Sequence, residues 1–387
     1  MRSSNRVPAF VSFILVVFLH STSAIAQGKT YSFVSRLGVD TLAVERVSVS
    51  EGAVKVEALI RTPRTVLMRY ELRMNADGAL KHLETSSVDP ISGKLLSRSI
   101  YDRIGDSLRI ESLRGERLIM QTISASGDAL PFVDLIHWPF DLMLRKMRQR
   151  NMTTWDAPMI SRNQISQFPL AVIGKDSATV THPTRGTMRV FLRSDGGIRT
   201  LDATATTRAL IVTEGGDPDI NAMALMFAHR DERGRGIGAL SGRDTTRTTV
   251  LGADIMVEYG TPTKRGREIW GKLVRFGNLW RTGANRATHF STSKALRFGE
   301  VVVPPGEYTL FSIPEKSGGV LIINTQTGQT GTRYDSQKDL GRVAMNPRTL
   351  AEPVEAFTIQ VDEVAGEGLI RLQWDATEYV SEFEIIE

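Results

Sequence analysis

The chain reads as mainly β, in two parts: an N-terminal curved antiparallel sheet with one covering helix, and a C-terminal domain of β-sandwich or jelly-roll type. Three observations predict this. Apolar and polar residues alternate over short runs, the period of a half-buried strand. Gly, Pro, Asn and Asp punctuate those runs, as hairpin turns require. Helical spacing is confined to two short stretches, near 140–150 and 218–227.

Composition sets the limits. A chain of 387 residues is long enough for two or three domains at ~100–200 residues each. Hydrophobic content of 41% beside 24% charged residues is that of a globular protein and argues against long disordered regions. The surplus of +5 is Arg-rich but spread along the chain, without the clustered basic stripe that reads nucleic acid, so no nucleic-acid partner is expected. The absence of cysteine excludes disulfides, thiolate metal sites, thiol catalysis and a lipid-modified N-terminal Cys.

Residues 1–26 have the form of a cleavable export signal. Arg2 and Arg6 precede an apolar run, Val7–Leu19, broken only by Pro8 and Ser12, and Ser23-Ala24-Ile25-Ala26 supplies small residues for cleavage after Ala26. The run falls short of the ~20 residues that span a bilayer, and no other segment is apolar enough to cross one. A periplasmic or secreted protein with no membrane span after cleavage is therefore expected.

The first domain is placed at 27–214. Val66–Met74 is its clearest strand: Met68, Tyr70, Leu72 and Met74 alternate with Leu67, Arg69, Glu71 and Arg73. Ala76-Asp77-Gly78 then turns the chain into a partner strand at Leu80–Ser87, and further strands follow near 94–101, 107–113 and 117–123. The hairpin beginning at Met68 resembles one beginning at Met188, by duplication or because both obey the same hairpin rules. Phe140–Arg150 is the domain's helix, with Phe140, Met143, Leu144 and Met147 on one side and Arg145, Lys146, Arg148 and Arg150 on the other. Such a helix can lie on an anionic membrane surface or across the concave face of a curved sheet, and its shortness favours the sheet. The pattern broadly resembles the half-barrel folds that carry lipids or lipoproteins through the periplasm, which implies an apolar ligand in the N-terminal domain.

Residues 215–238 form the join. Gly215-Gly216 ends the last strand, Asp217 and Pro218 can open a short helix carrying Ile220, Met223, Ala224 and Phe227, and the charged run from His229 to Gly236 reads as linker. Gly234, Gly236 and Gly238 lack the flanking strand and helix of a dinucleotide loop.

The second domain is placed at 239–387. From about Arg243 onward the segments YGTPTKRGREIWGKLV, WRTGANRAT and VPPGEYTLFSIP resemble the bacterial domain of unknown function 2911. That resemblance implies exported bacterial proteins and a β-rich fold, with no established activity to carry over. Arg286 stands where an acidic residue is common, so no role for that acid transfers here. The residues themselves predict strands at Ile255–Tyr259, Thr288–Ser291, Glu300–Val303, Glu307–Ile313, Val320–Asn324, Phe357–Val361, Leu369–Trp374 and Tyr379–Ile385.

Between Tyr259 and Thr288 alternation stops, which predicts a long ordered crossover of a kind that is often functional. Trp270 and Trp280 are expected to anchor it in the core. Arg267 and Arg281 stand beside them, placed to offer forked donors to a carboxylate or phosphate. Glycines 260, 266, 277 and 283 can bring backbone N–H groups to the same ligand, and Asn285 is expected to lock a turn through its amide. Internal pairing with Glu258, Glu268 or Glu300 is the competing fate of both arginines. The candidate ligand-binding set is thus Tyr259, Arg267, Trp270, Trp280, Arg281, Asn285 and His289, for a small anionic or carbohydrate ligand.

Common hydrolase motifs are absent, the histidines lack paired spacing, and neither metal nor cofactor is expected. A non-catalytic binding module is favoured over a structural or envelope-interaction protein. A hydrolase using His289 with Arg267 and Arg281 is the outside reading.

Overall fold

The computed structural model describes residues 28–161 and 164–386; the export signal read over 1–26 lies outside them. Over the described residues the fold is mainly β, with two α-helices: α1, Trp138–Gln149, and α2, Ile220–Glu232.

The N-terminal sheet has fifteen strands built as two meanders, the second opened by a short strand, Leu130–Pro131, that pairs parallel with Thr154–Ser161 across α1. The first runs from Lys29–Leu37 outward to Arg117–Ser124, and the second runs from Leu130–Pro131 inward to Ile211–Glu214. They join where Lys29–Leu37 pairs antiparallel with Ile211–Glu214, Phe33 opposite Glu214. The two outermost strands are therefore consecutive in sequence, with only residues 125–129 between them. Such a link spans at most ~20 Å, whereas fifteen strands laid flat would extend about 65 Å. The short connection fits a strongly curved sheet.

Helix α1 fills the concavity. Trp138, Phe140, Met143, Leu144 and Met147 join Phe33, Val47, Val56, Tyr70 and Leu72 in one core. Its N-terminus is capped from outside: the fully buried Glu45 carboxylate accepts from His137 N (2.8 Å) and Trp138 N (3.0 Å). Its basic flank is neutralised locally, Arg145 bonding Asp141 (2.7 Å) and Arg150 bonding Asp128 (2.8 Å), while Lys146 donates to the Gly78 carbonyl at 2.8 Å. Of the two roles open to this helix, the fold uses it to pack the sheet.

The strand Val66–Met74 occupies the predicted residues, and its neighbours differ from expectation by a few residues at their ends. Tyr70 and Leu72 face the inner core, but Leu67, on the opposite side, is also buried. It packs with Val44 and Leu59 under α2, which covers the convex face through Ile220, Ala224 and Phe227. Asp217 does not cap α2; it pairs with Arg46, and Asp219 caps instead, accepting from Ala222 N at 3.0 Å. The helix continues through Glu232, so the charged run read as linker begins as helix.

After Ser241 a six-stranded sheet and a four-stranded sheet face each other. Val257, Leu310 and Leu321 of the first pack against Phe357, Trp374 and Phe383 of the second. Three strands here were not expected: Ser241–Val250, Ala295–Phe298 and Asp339–Ala344. The first is rich in Thr and Arg and mostly unburied, so it carries little apolar alternation. The two runs expected at 369–374 and 379–385 are one long strand, Glu367–Ile386, bent where Asp375 takes a left-handed φ of 55°.

Candidate functional site

The crossover between Ala253–Pro262 and Thr288–Thr292 is fastened at several points. Trp280 and Ser312 exchange backbone hydrogen bonds (2.7 and 2.8 Å), Gly277 N donates to Pro314 O (2.9 Å), and Arg286 bridges to Thr330. The aromatic rings supply the anchor. Trp280 stacks on Trp374 with centroids 6.1 Å apart, Trp270 meets Tyr379 edge-on at 4.8 Å, and Trp270 Nε1 donates to Trp374 O at 3.0 Å. Tyr259 is 1% exposed and packs edge-on against Phe357.

This fastening sets where the basic residues go. Lys264 pairs with Asp375, and Arg265 turns to the N-terminal sheet to pair with Asp40 at 2.7 Å. Arg267 donates only to backbone, to Lys264 O at 2.9 Å and to Thr263 O. Arg281 reaches Asn285 O at 3.4 Å. Among the described residues neither guanidinium has a carboxylate within ion-pair distance: Glu258 pairs with Arg243, while Glu268 and Glu300 make no ion pair. Burial pushes the Arg281 pKa below its ordinary value. At Arg267 burial acts the same way, reinforced by nearby Arg265 and opposed by Glu355. An arginine does not deprotonate in a protein, so both charges are retained, Arg281 with no opposing carboxylate and Arg267 with only the unbonded Glu355 nearby.

Both groups line a cleft of about 500 Å³ together with Trp280 and Asn285. Its other wall comes from the N-terminal sheet and carries Arg185 and Arg208. These two flank Asp134, with Arg185 at 2.7 Å from one oxygen and Arg208 on the other. Burial alone would raise the Asp134 carboxyl, but the charges and hydrogen bonds of Arg208 and Arg185 outweigh it and hold the carboxyl low. Four guanidiniums therefore line this cleft, two of them paired with Asp134 and two without an ion-pair partner among the described residues, and a small molecule carrying oxyanions could be held there by forked hydrogen bonds.

Of the residues singled out by sequence, Arg267, Trp280, Arg281 and Asn285 come together on this cleft. Tyr259 and Trp270 lie in the aromatic core behind it. His289 is held by backbone on both ring nitrogens, Nδ1 donating to Ala287 O (3.0 Å) and Nε2 accepting from Gly328 N (2.9 Å). Asn285 has φ 66°, and its carbonyl accepts from Gly331 N at 3.0 Å, so its backbone closes the turn where the sequence suggested its amide. Gly260 and Gly283 allow close approach of the chain to itself: a Cβ on Gly260 would lie 2.2 Å from Ala284 O. Arg185 and Arg208 carry no local signal, since each is a single basic residue in a turn far from the crossover. Gly331 was also missed; a Cβ there would lie 2.4 Å from Arg281 Cδ, so its bare backbone makes room for that side chain.

The family model described as protein of unknown function (DUF2911) matches residues 241–383, the C-terminal region that holds this crossover. Among solved structures, the chain is similar to the crystal structure of a beta-barrel-like protein of domain of unknown function DUF1849 from Brucella abortus. That likeness has 9% identity, covers 48% of this chain and 94% of the other, and has a TM-score of 0.32. No match is found among curated proteins.

Proposed function

We propose that the protein is an exported, non-catalytic binding module whose cleft takes a small oxyanion, a carboxylate or a phosphate. One observation carries the reading: Arg267 and Arg281, partly buried and in no ion pair among the described residues, line a cleft of about 500 Å³ beside the Trp280 ring. A buried charge without a counter-charge is costly, and an arriving anion offsets that cost while gaining two forked donors. Arg185 and Arg208 add positive charge on the facing wall, beyond what Asp134 neutralises. Trp280 is partly buried and lines the cleft, a surface on which a sugar ring can pack, so an acidic sugar falls within the same class. His289, spent on backbone hydrogen bonds, supports binding over catalysis.

Calorimetric titration of the purified protein with phosphate, citrate, glucuronate and glucose tests this. At least one of the three anions is expected to bind saturably, more weakly as salt rises, with glucose silent. Arg281→Ala is expected to reduce that affinity at least tenfold, while leaving the melting temperature of the unliganded protein within a few degrees. Anion affinity equal in wild type and Arg281→Ala, or silence of all three anions, defeats the reading.

A further inference from the structure

A second cavity, of about 330 Å³, lies wholly within the N-terminal part, between α1 and the strands it covers. Its walls are apolar: Val49, Met74, Leu80, Leu130, Leu142 and Trp155. Several of these, Val49, Met74, Leu142 and Trp155, are only partly buried although they pack against the main core, because the cavity exposes them. Its lining carries Lys29, Arg145, Lys146 and Asp128; Lys146 is paired with Asp128 and Arg145 with Asp141 and Asp195, while Lys29 shares Asp195 with Arg145. Lys29 keeps half of its side chain in solvent while touching Asp195, so it can reorient toward an incoming head group.

We propose that this cavity binds one medium-length straight-chain carboxylic acid, its alkyl chain between α1 and the sheet and its carboxylate at Lys29 on the rim. Size sets the chain. A cavity of ~150 Å³ accommodates six-carbon benzene, so about 330 Å³ corresponds to roughly a dozen carbons in a single chain, too little for a two-chain lipid. The wall chemistry selects an aliphatic chain, since burying it removes apolar surface on both partners from water. Lys29 selects the head: Asp195 stays paired with Arg145 when the half-exposed Lys29 swings away, so its ammonium can meet a carboxylate and repels a cation. The site shares no lining residue with the Arg267–Arg281 cleft, so the two stand or fall separately.

Equilibrium titration of the full protein with dodecanoate, held below its micellar concentration, is the direct test. Saturable one-to-one binding is expected, with dodecyltrimethylammonium at least tenfold weaker and hexanoate weaker still. Leu142→Trp, which fills the cavity, is expected to abolish dodecanoate binding. Lys29→Glu, a change at an exposed rim position that leaves the core untouched, is expected to weaken dodecanoate and strengthen the cationic analogue. Arg281→Ala is expected to leave dodecanoate binding unchanged. Absence of saturable dodecanoate binding by the folded protein overturns the proposal. So does equal affinity for the two head groups in both wild type and Lys29→Glu, or undiminished binding by a folded Leu142→Trp protein.

Discussion

Arg281 depends on a residue that carries no chemistry. Gly331 has no side chain, and the Arg281 stem lies in the space a side chain would fill. Gly331 does not adopt a left-handed φ, so replacing it strains contacts and leaves the backbone relaxed. Gly331→Ala is therefore expected to keep the fold, shown by an unchanged circular dichroism spectrum, yet to displace Arg281 and weaken anion binding about as much as Arg281→Ala does. Full retention of affinity in Gly331→Ala would show that the guanidinium does not need its present position. The same scale marks how far the site could be read in sequence. Arginines next to tryptophans, in a stretch without alternation, pointed to the crossover. Nothing in the local order separated Arg267 and Arg281 from Lys264 and Arg265, whose partners Asp375 and Asp40 lie far away in the chain.

At the level of single elements, α1 shows a helix completed by its surroundings. It begins at Trp138 with no side-chain cap of its own, and the two N–H groups at its start are taken by Glu45 from the strand Asp40–Ser50. Hydrogen bonds to a charged group contribute about 1.5–3 kcal/mol each. Glu45→Ala is thus expected to destabilise the N-terminal part by roughly 3 kcal/mol in urea unfolding, and Glu45→Gln by less, because the amide oxygen preserves one acceptor. Equal stability of wild type and Glu45→Ala would refute the capping role. The helix itself was legible from the spacing of Phe140, Met143, Leu144 and Met147; its cap was not, since a capping box is local in sequence and Glu45 is not. The strands follow the same division. Those with a regular apolar alternation were found almost to the residue, as at Val66–Met74, whereas Ser241–Val250, largely unburied, was invisible to a test for alternation.

For the molecule as a whole, the cleft exists because two separately built parts are held in one orientation. Arg265 is the clamp: its guanidinium bonds Asp40 (2.7 Å) and Ile237 O (2.9 Å), and its carbonyl accepts from Val39 N (3.4 Å). Gly38, at φ 56°, lets the β-turn approach so closely that a Cβ would overlap the Arg265 carbonyl. Arg265 does not line the cleft, so Arg265→Ala tests orientation alone. Calorimetric melting of this variant is expected to separate into two transitions, and anion affinity is expected to fall several-fold as the four guanidiniums lose their common geometry. A single sharp transition with unchanged affinity would show that other contacts fix the two parts. This pairing of distant walls is also why Arg185 and Arg208 were beyond the reach of sequence reading.

The joint between Lys29–Leu37 and Ile211–Glu214 has a consequence for how the chain is made. The first strand of this sheet to be synthesised is also the last to gain its second neighbour, because that partner follows all the other strands of the sheet. Until then the opening strand offers a bare row of amide groups to any extended peptide nearby. Closing so long a loop is slow on topological grounds alone.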